Sequence, residues 1–167
     1  MTGLSVKIEG LDRLIKKTSP DLLRAPLKRF FERAAISVEN RAKRNAPVDT
    51  GRLRSSLTHE LDSADVPRFA RVGTNVKYAP FMEFGTGLFS DAEGASHTRH
   101  WPPPDALGGW AKRHGFASGY AVAAAIGKRG GLKPRRYLRN ALKDSLGDIR
   151  GFMDRLGREI SEAWDKK

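Results

Sequence analysis

Several places in this chain carry side chains of the kind that chemistry uses. His97-Thr98-Arg99-His100 sets two imidazoles three residues apart, a spacing that zinc sites use when further ligands converge on them. An arginine sits between the two, and the chain has no cysteine to complete a ligand set, so the segment reads as a solvated loop and no metal is expected. Ser56, His59 and Asp62 supply the residue types of a nucleophile, a base and an orienting acid. On a strand, alternation puts Ser56 and Asp62 on one face and His59 on the other, so a triad is rejected. Ala125-Ile126-Gly127-Lys128-Arg129-Gly130-Gly131 contains glycine and lysine without the spacing of a phosphate-binding loop. Glu83 is the one acid in a strongly apolar setting, among Phe81, Met82 and Phe84. It could be a buried general base, but a carboxylate held by an arginine or by backbone amides is the preferred reading. Asp49-Thr50-Gly51 reads as a turn in which the Asp oxygen accepts from amides two residues on and Gly51 supplies backbone freedom. No catalytic residue and no cofactor is expected.

The elements that position these residues follow from periodicity. Leu4 to Gly10 alternates apolar and polar residues and reads as a short strand. Leu11–Lys17 has brief helical spacing, and Ser19-Pro20-Asp21 is a cap followed by proline at the first helical position. Leu23, Leu27, Phe30, Phe31, Ala34, Val38 and Ala42 then recur at threes and fours, predicting a helix over residues 20–45 that Pro47 ends. Leu53 to Leu61 and Phe69 to Val76 read as two strands of an antiparallel hairpin turning at Asp65-Val66-Pro67. Tyr78 to Phe84 is a single helical turn or an irregular edge, stopped by Gly85. Pro102-Pro103-Pro104 is a stiff connector, followed by short helices at Ala106–His114 and Ala117–Lys128. From Pro134 onward, Leu138, Leu142, Leu146, Ile149, Phe152, Met153, Leu156 and Ile160 mark a second long amphipathic helix. Gly147, Gly151 and Gly157 each weaken it by up to ~1 kcal/mol relative to alanine.

The expected fold is α+β: a small antiparallel sheet of three or four strands packed against a long N-terminal and a long C-terminal helix. A single domain, 1–167, is expected, with 87–132 as an insertion or long loop region carrying short helices. No apolar run is long enough for a membrane span, and the first residues lack the pattern of a signal peptide.

Lysine and arginine number 31 against 19 acids, a net charge of +12, and the excess divides evenly between the two halves of the chain. That balance favours nucleic acid or an acidic protein partner. Arg41, Lys43 and Arg44 on the first long helix and Lys128, Arg129, Lys133, Arg135 and Arg136 near a glycine-rich turn are the candidates for facing either. Aromatics are not interleaved with them and no recognition helix is apparent, so any contact with DNA would be to phosphates and independent of sequence.

Arg41-Ala42-Lys43-Arg44-Asn45-Ala46-Pro47-Val48-Asp49-Thr50-Gly51-Arg52-Leu53-Arg54-Ser55-Ser56 resembles the opening signature of the gene-product-ten-like tail-component proteins of lambdoid siphophages, also called tail-completion or head–tail joining proteins. Tyr78-Ala79-Pro80-Phe81-Met82-Glu83-Phe84-Gly85-Thr86 is similar to that family's second block. Lys133-Pro134-Arg135-Arg136-Tyr137-Leu138-Arg139-Asn140-Ala141-Leu142 is similar to its third. Order and spacing agree over most of residues 8–146, although the segment 87–131 and the last helix run longer than the signature requires. The resemblance implies a structural virion protein of the phage neck or tail, made in the host cytoplasm. It would act as a subunit of a homo-oligomeric ring, expected to be hexameric, between neck and tail-tube proteins, with packaged DNA as a further partner through its phosphates and with no catalytic residues. Pro47, Asp49, Thr50, Gly51, Leu53, Tyr78, Glu83, Gly85, Thr86, Pro134, Tyr137 and Leu138 would define the fold or lie near subunit contacts. The alternatives are a tail terminator or other minor tail protein, a sequence-independent DNA-binding protein outside the virion, and a hydrolase using Glu83 and a loop histidine.

Overall fold

The computed structural model describes residues 2–10 and 20–165; the helical stretch expected at Leu11–Lys17 and the Ser19 cap lie outside them. The described elements are β1 (Thr2–Lys7), α1 (Pro20–Asn45), α2 (Arg52–Ser56), β2 (Thr58–Leu61), β3 (Phe69–Thr74), α3 (Ala79–Phe84), a 3-10 turn at Gly87–Phe89, α4 (Pro104–Arg113), α5 (Gly119–Arg129) and α6 (Tyr137–Asp165). They form the α+β arrangement expected, and group into two compact units. One draws on Met1–Ala46, Arg54–Asn75 and Leu138–Lys167, the other on Pro47–Leu53 and Val76–Tyr137.

In the first unit a three-stranded antiparallel sheet runs β1-β3-β2. β3 is central, with Val72 opposite Leu4 on one side and His59 on the other. Ala70, Val72 and Thr74 are buried while Arg71 is exposed, the alternation of a sheet covered on one face. α1 covers it. Leu23, Leu27, Phe30, Phe31, Ala34, Val38 and Ala42 form its buried stripe, the spacing read from the sequence. The helix runs unbroken through Pro26, which is itself buried; packing offsets the lost hydrogen bond there. α6 lies against α1, joined by Arg29–Glu159 at 2.7 Å and Arg41–Asp148 at 2.7 Å.

The strand expected at Leu53–Leu61 is not one element. Arg52–Ser56 is a short helix, and the strand is only Thr58–Leu61. Leu53 and Leu57 are both buried, and their separation of four residues matches one helical turn rather than alternation; the β-branched character of a strand begins only at Thr58. The face assignment for Ser56 therefore fails with the strand. Asp62 builds the hairpin loop by accepting from the backbone N–H groups of Ala64 at 3.2 Å and Arg68 at 3.1 Å, an Asx-type use of a carboxylate.

In the second unit α4 and α5 pack together around Ala111, Val122 and Ile126, with Leu107, Trp110 and Leu132 against them. Pro104 opens α4, as its missing N–H allows. α5 starts at Gly119, two residues later than the sequence suggests, because the Ser118 side chain caps it by accepting from the Ala121 N–H at 3.2 Å. It ends at Gly130, whose φ of 96° gives a left-handed cap.

Candidate assembly surface

The second-unit residues of the second and third sequence blocks are joined through their backbones. α3 supplies the carbonyls of Met82 and Glu83, which accept from the N–H groups of Arg135 at 2.8 Å and Arg136 at 3.1 Å. One step along, the Thr86 N–H donates to the Leu132 carbonyl at 2.9 Å and the Leu132 N–H donates to the Thr86 hydroxyl at 3.0 Å. The Gly130 carbonyl accepts from Leu88 at 3.0 Å. The segments 82–88 and 130–136 are thus laced side by side, and Gly85 lies where a side chain would strike the Leu132 carbonyl and the Pro134 ring. Thr86 is buried because its hydroxyl is part of that lacing.

Glu83 is 4% exposed, as its apolar neighbours suggested. Beside it stands Tyr137, also buried, whose hydroxyl has no hydrogen-bond partner among the described residues. Burial, with the negative charge of Glu83 adding to it, pushes the Tyr137 phenol well above its ordinary value. Tyr137 is therefore a neutral packing residue at the start of α6.

The turn that stops α1 uses Asp49 in a way the sequence did not disclose. Its carboxylate receives the Arg113 guanidinium through two donors, Nε at 3.1 Å and a second, shorter bond from Nη2. His114 Nε2 stands 3.8 Å away. The Arg113 hydrogen bond is the largest influence on Asp49 and holds its carboxyl below the ordinary value. Gly51 has φ of 82°, the left-handed geometry the turn was expected to need. Pro47, Asp49, Thr50, Gly51, Leu53, Tyr78, Glu83, Gly85, Thr86, Pro134 and Tyr137 all fall in the second unit; Leu138 falls in the first.

The basic candidates divide likewise. In the first unit Arg41 is half-buried between Ser37 and Asp148, Lys43 pairs with Glu39 one turn away, and Arg44 is exposed. In the second, Arg136 donates to Asp91 at 2.8 Å from a backbone of φ 51°, and Lys133 stands 5.8 Å over the Phe89 ring. Lys128, Arg129 and Arg135 are exposed.

The residues with chemical potential are separated and occupied. The Ser56 hydroxyl bonds that of Thr74 at 2.7 Å. His59 Nδ1 meets the Glu39 carboxylate, and Asp62 serves its loop. His97 is exposed, while the His100 ring lies 6.3 Å from that of Phe81. Among the described residues no cluster of His, Cys, Asp or Glu could hold a metal ion, and no helix is long and apolar enough to cross a membrane.

Glu39 belongs to a cluster the sequence reading missed, although its i,i+4 spacing to Lys43 was a visible signal. Burial pushes its carboxyl up, but Lys43 and His59 together bring it below the ordinary value of 4.5. Asp148, bonded first by Arg41 and then Ser37, and Glu159, bonded by Arg29, are lowered as well. A carboxylate with a depressed folded-state pKa contributes stability that is full above its unfolded value and lost as pH falls through the folded value. The first unit is therefore expected to melt at a constant temperature above the ordinary Glu and Asp values of 4.5 and 3.8, and at steadily lower temperatures as pH drops below them. Thermal melts from neutral pH into acid check this, and Arg41→Ala should make the acid loss shallower; a melting temperature indifferent to acid would contradict it.

Residues 9–85 match the family model described as "Bacteriophage HK97-gp10, putative tail-component". No curated protein and no solved structure matches the chain. The matched stretch contains the helix-stop turn and the second block up to Gly85; the third block lies beyond it, bonded to the second through Met82 and Glu83. Over residues 9–85, a little under half of its length, this chain is similar to the HK97-gp10-like bacteriophage tail components.

Proposed function

We propose that this chain is a structural protein of the phage neck or tail that completes the tail or joins head to tail, as one subunit of a homo-oligomeric ring. The observation that carries the reading is the use to which the matched residues are put. Gly51, Glu83 and Gly85 turn and lace the backbone, Asp49 ties the helix-stop turn to Arg113, and Thr86, one residue beyond the match, completes the lacing, as the residues of an assembly module would. The role is structural and needs no cofactor. Exposed Arg44, Lys128, Arg129 and Arg135 face DNA phosphates or an acidic neighbouring ring, through attraction that weakens with salt.

Deleting the gene and imaging the particles tests this. Filled heads beside separate, normal-length tails are the expected result, and restoring the gene should restore joined virions. Tails of irregular length would assign termination instead, and normal infectious particles would overturn the proposal.

A further inference from the structure

α1 and α6 run antiparallel, joined by Arg29–Glu159 toward one end of their contact and Arg41–Asp148 toward the other, each at 2.7 Å. Four residues in from the first bridge, about one turn along each helix, Arg33 comes opposite Arg155. Arg29, Arg33, Arg155 and Glu159 line one groove, together with the buried Phe30 and Leu156. Arg33 and Arg155 are exposed at its mouth. The cross-helix pairs on either side are complementary: Arg29 donates to Glu159, and Ser37 and Arg41 donate to Asp148. Between them the seam sets a cation against a cation.

No carboxylate is left to neutralise that pair. The Arg29 hydrogen bond, and after it the charges of Arg29, Arg33 and Arg155, hold the Glu159 carboxyl below its ordinary value against burial. One acid thus serves three guanidiniums, and its ion pair goes to Arg29. Among the described residues Arg33 and Arg155 make no ion pair of their own. The neighbours three and four residues from Arg33 on α1 are Arg29, Phe30, Ile36 and Ser37, none of them acidic. Glu32 and Asp154 adjoin the two arginines in sequence but point about 100° away round their helices. The next acids on this side of α6, Asp148 and Glu162, lie seven residues from Arg155 in opposite directions, and Asp148 is held by Arg41.

We propose that the groove between Arg33 and Arg155 is a phosphate-binding site. Each guanidinium presents a planar fork of donors, and forks on opposite walls grip a tetrahedral phosphate from two sides. The buried floor of Phe30 and Leu156 keeps the anion at the mouth, level with both forks. A bound phosphate replaces the repulsion between the two arginines with two attractions, so binding and the stability of the helix seam are linked. The phosphate is a free or terminal group or a phosphodiester of a nucleic acid backbone, and the site does not depend on the neck or tail role.

Thermal melts of the full-length chain, with sodium phosphate exchanged for sodium chloride at fixed ionic strength, test this. The melting temperature of the parent chain should rise with phosphate. Arg33→Gln and Arg155→Gln should each raise the phosphate concentration needed by ~10-fold or more, while Arg150→Gln, on another face of α6, responds as the parent does. In chloride alone neither groove variant should melt lower than the parent, since each relieves the opposed charges. Titration of duplex DNA at several salt concentrations then separates the sources. A salt slope lower by about one in the Arg33→Gln, Arg155→Gln double variant assigns a backbone phosphodiester. An unchanged slope assigns the free or terminal group. A rise equal in parent and variants, as general salting by phosphate would give, would overturn the proposal. So would a groove variant that melts lower in chloride, or a parent chain indifferent to phosphate.

Discussion

Phe31→Ala is expected to destabilise the first unit by about 3–5 kcal/mol, the cost of removing a fully enclosed aromatic ring and leaving a cavity behind. Phe31 is 0% exposed and its ring meets that of Phe30 edge-on, with centroids 5.1 Å apart and planes at 71°. It sits midway along the α1 stripe that covers the sheet, where the neighbouring Leu27, Ala34 and Ala35 cannot collapse inward without moving the helix. Since an ordinary domain is held by only about 5–15 kcal/mol, the variant should approach its unfolding threshold. Chemical denaturation with helix content as the readout measures this through the shift in midpoint. A loss below ~1 kcal/mol would mean that α1 is not the centre of this core. Ile36→Ala, on the exposed side of the same helix, should change little.

Gly85→Ala is expected to damage the second unit comparably, by roughly 3–5 kcal/mol, combining a backbone conformation nearly confined to glycine with overpacking. The residue has φ of 73° and ψ of −172°. A β-carbon there would lie 2.6 Å from the Leu132 carbonyl oxygen, 2.8 Å from the Pro134 nitrogen and 2.9 Å from the Pro134 ring. All three are backbone or ring atoms that cannot swing aside, so relief requires the two laced segments to part and lose the bonds around Thr86. Gly94→Ala separates the two contributions: its φ of 71° is similar, yet nothing lies within 4 Å of the new atom. It should cost about 1–2 kcal/mol from the backbone alone. Limited proteolysis, mapping new cuts between residues 82 and 136, is the measurement. Equal protection of Gly85→Ala and Gly94→Ala would show that close approach is not what demands glycine at position 85.

The elements most legible in the sequence were those whose signal is local. The long helices at 20–45 and from 137 onward announced themselves by apolar spacing, and both small helices of the 87–132 region appeared with ends displaced by at most a few residues. The error at Leu53–Leu61 has a plain origin: Leu53 and Leu57 are compatible with a strand end as well as with a helical turn, and only their common burial decides. The site was less legible. The lacing of 82–88 to 130–136 runs through N–H and carbonyl groups that every residue possesses, so no side-chain type advertises it. Arg113 reaches Asp49 across 64 positions of sequence, a distance over which no spacing rule speaks. Periodicity likewise revealed the apolar arc of α6, but only the structure shows which stripe α1 covers and which it leaves open.

The way the chain weaves between its two units bears on how its gene can be cut. It passes from one unit to the other after residues 46, 53, 75 and 137, so neither is a contiguous piece of reading frame. A fragment restricted to the recognised residues 9–85 would carry α1 without α6 and Gly85 without Leu132 and Pro134. Exchange of such a fragment between related genes would deliver a severed backbone ladder, and intact inheritance of the whole gene is what keeps both halves of that ladder together.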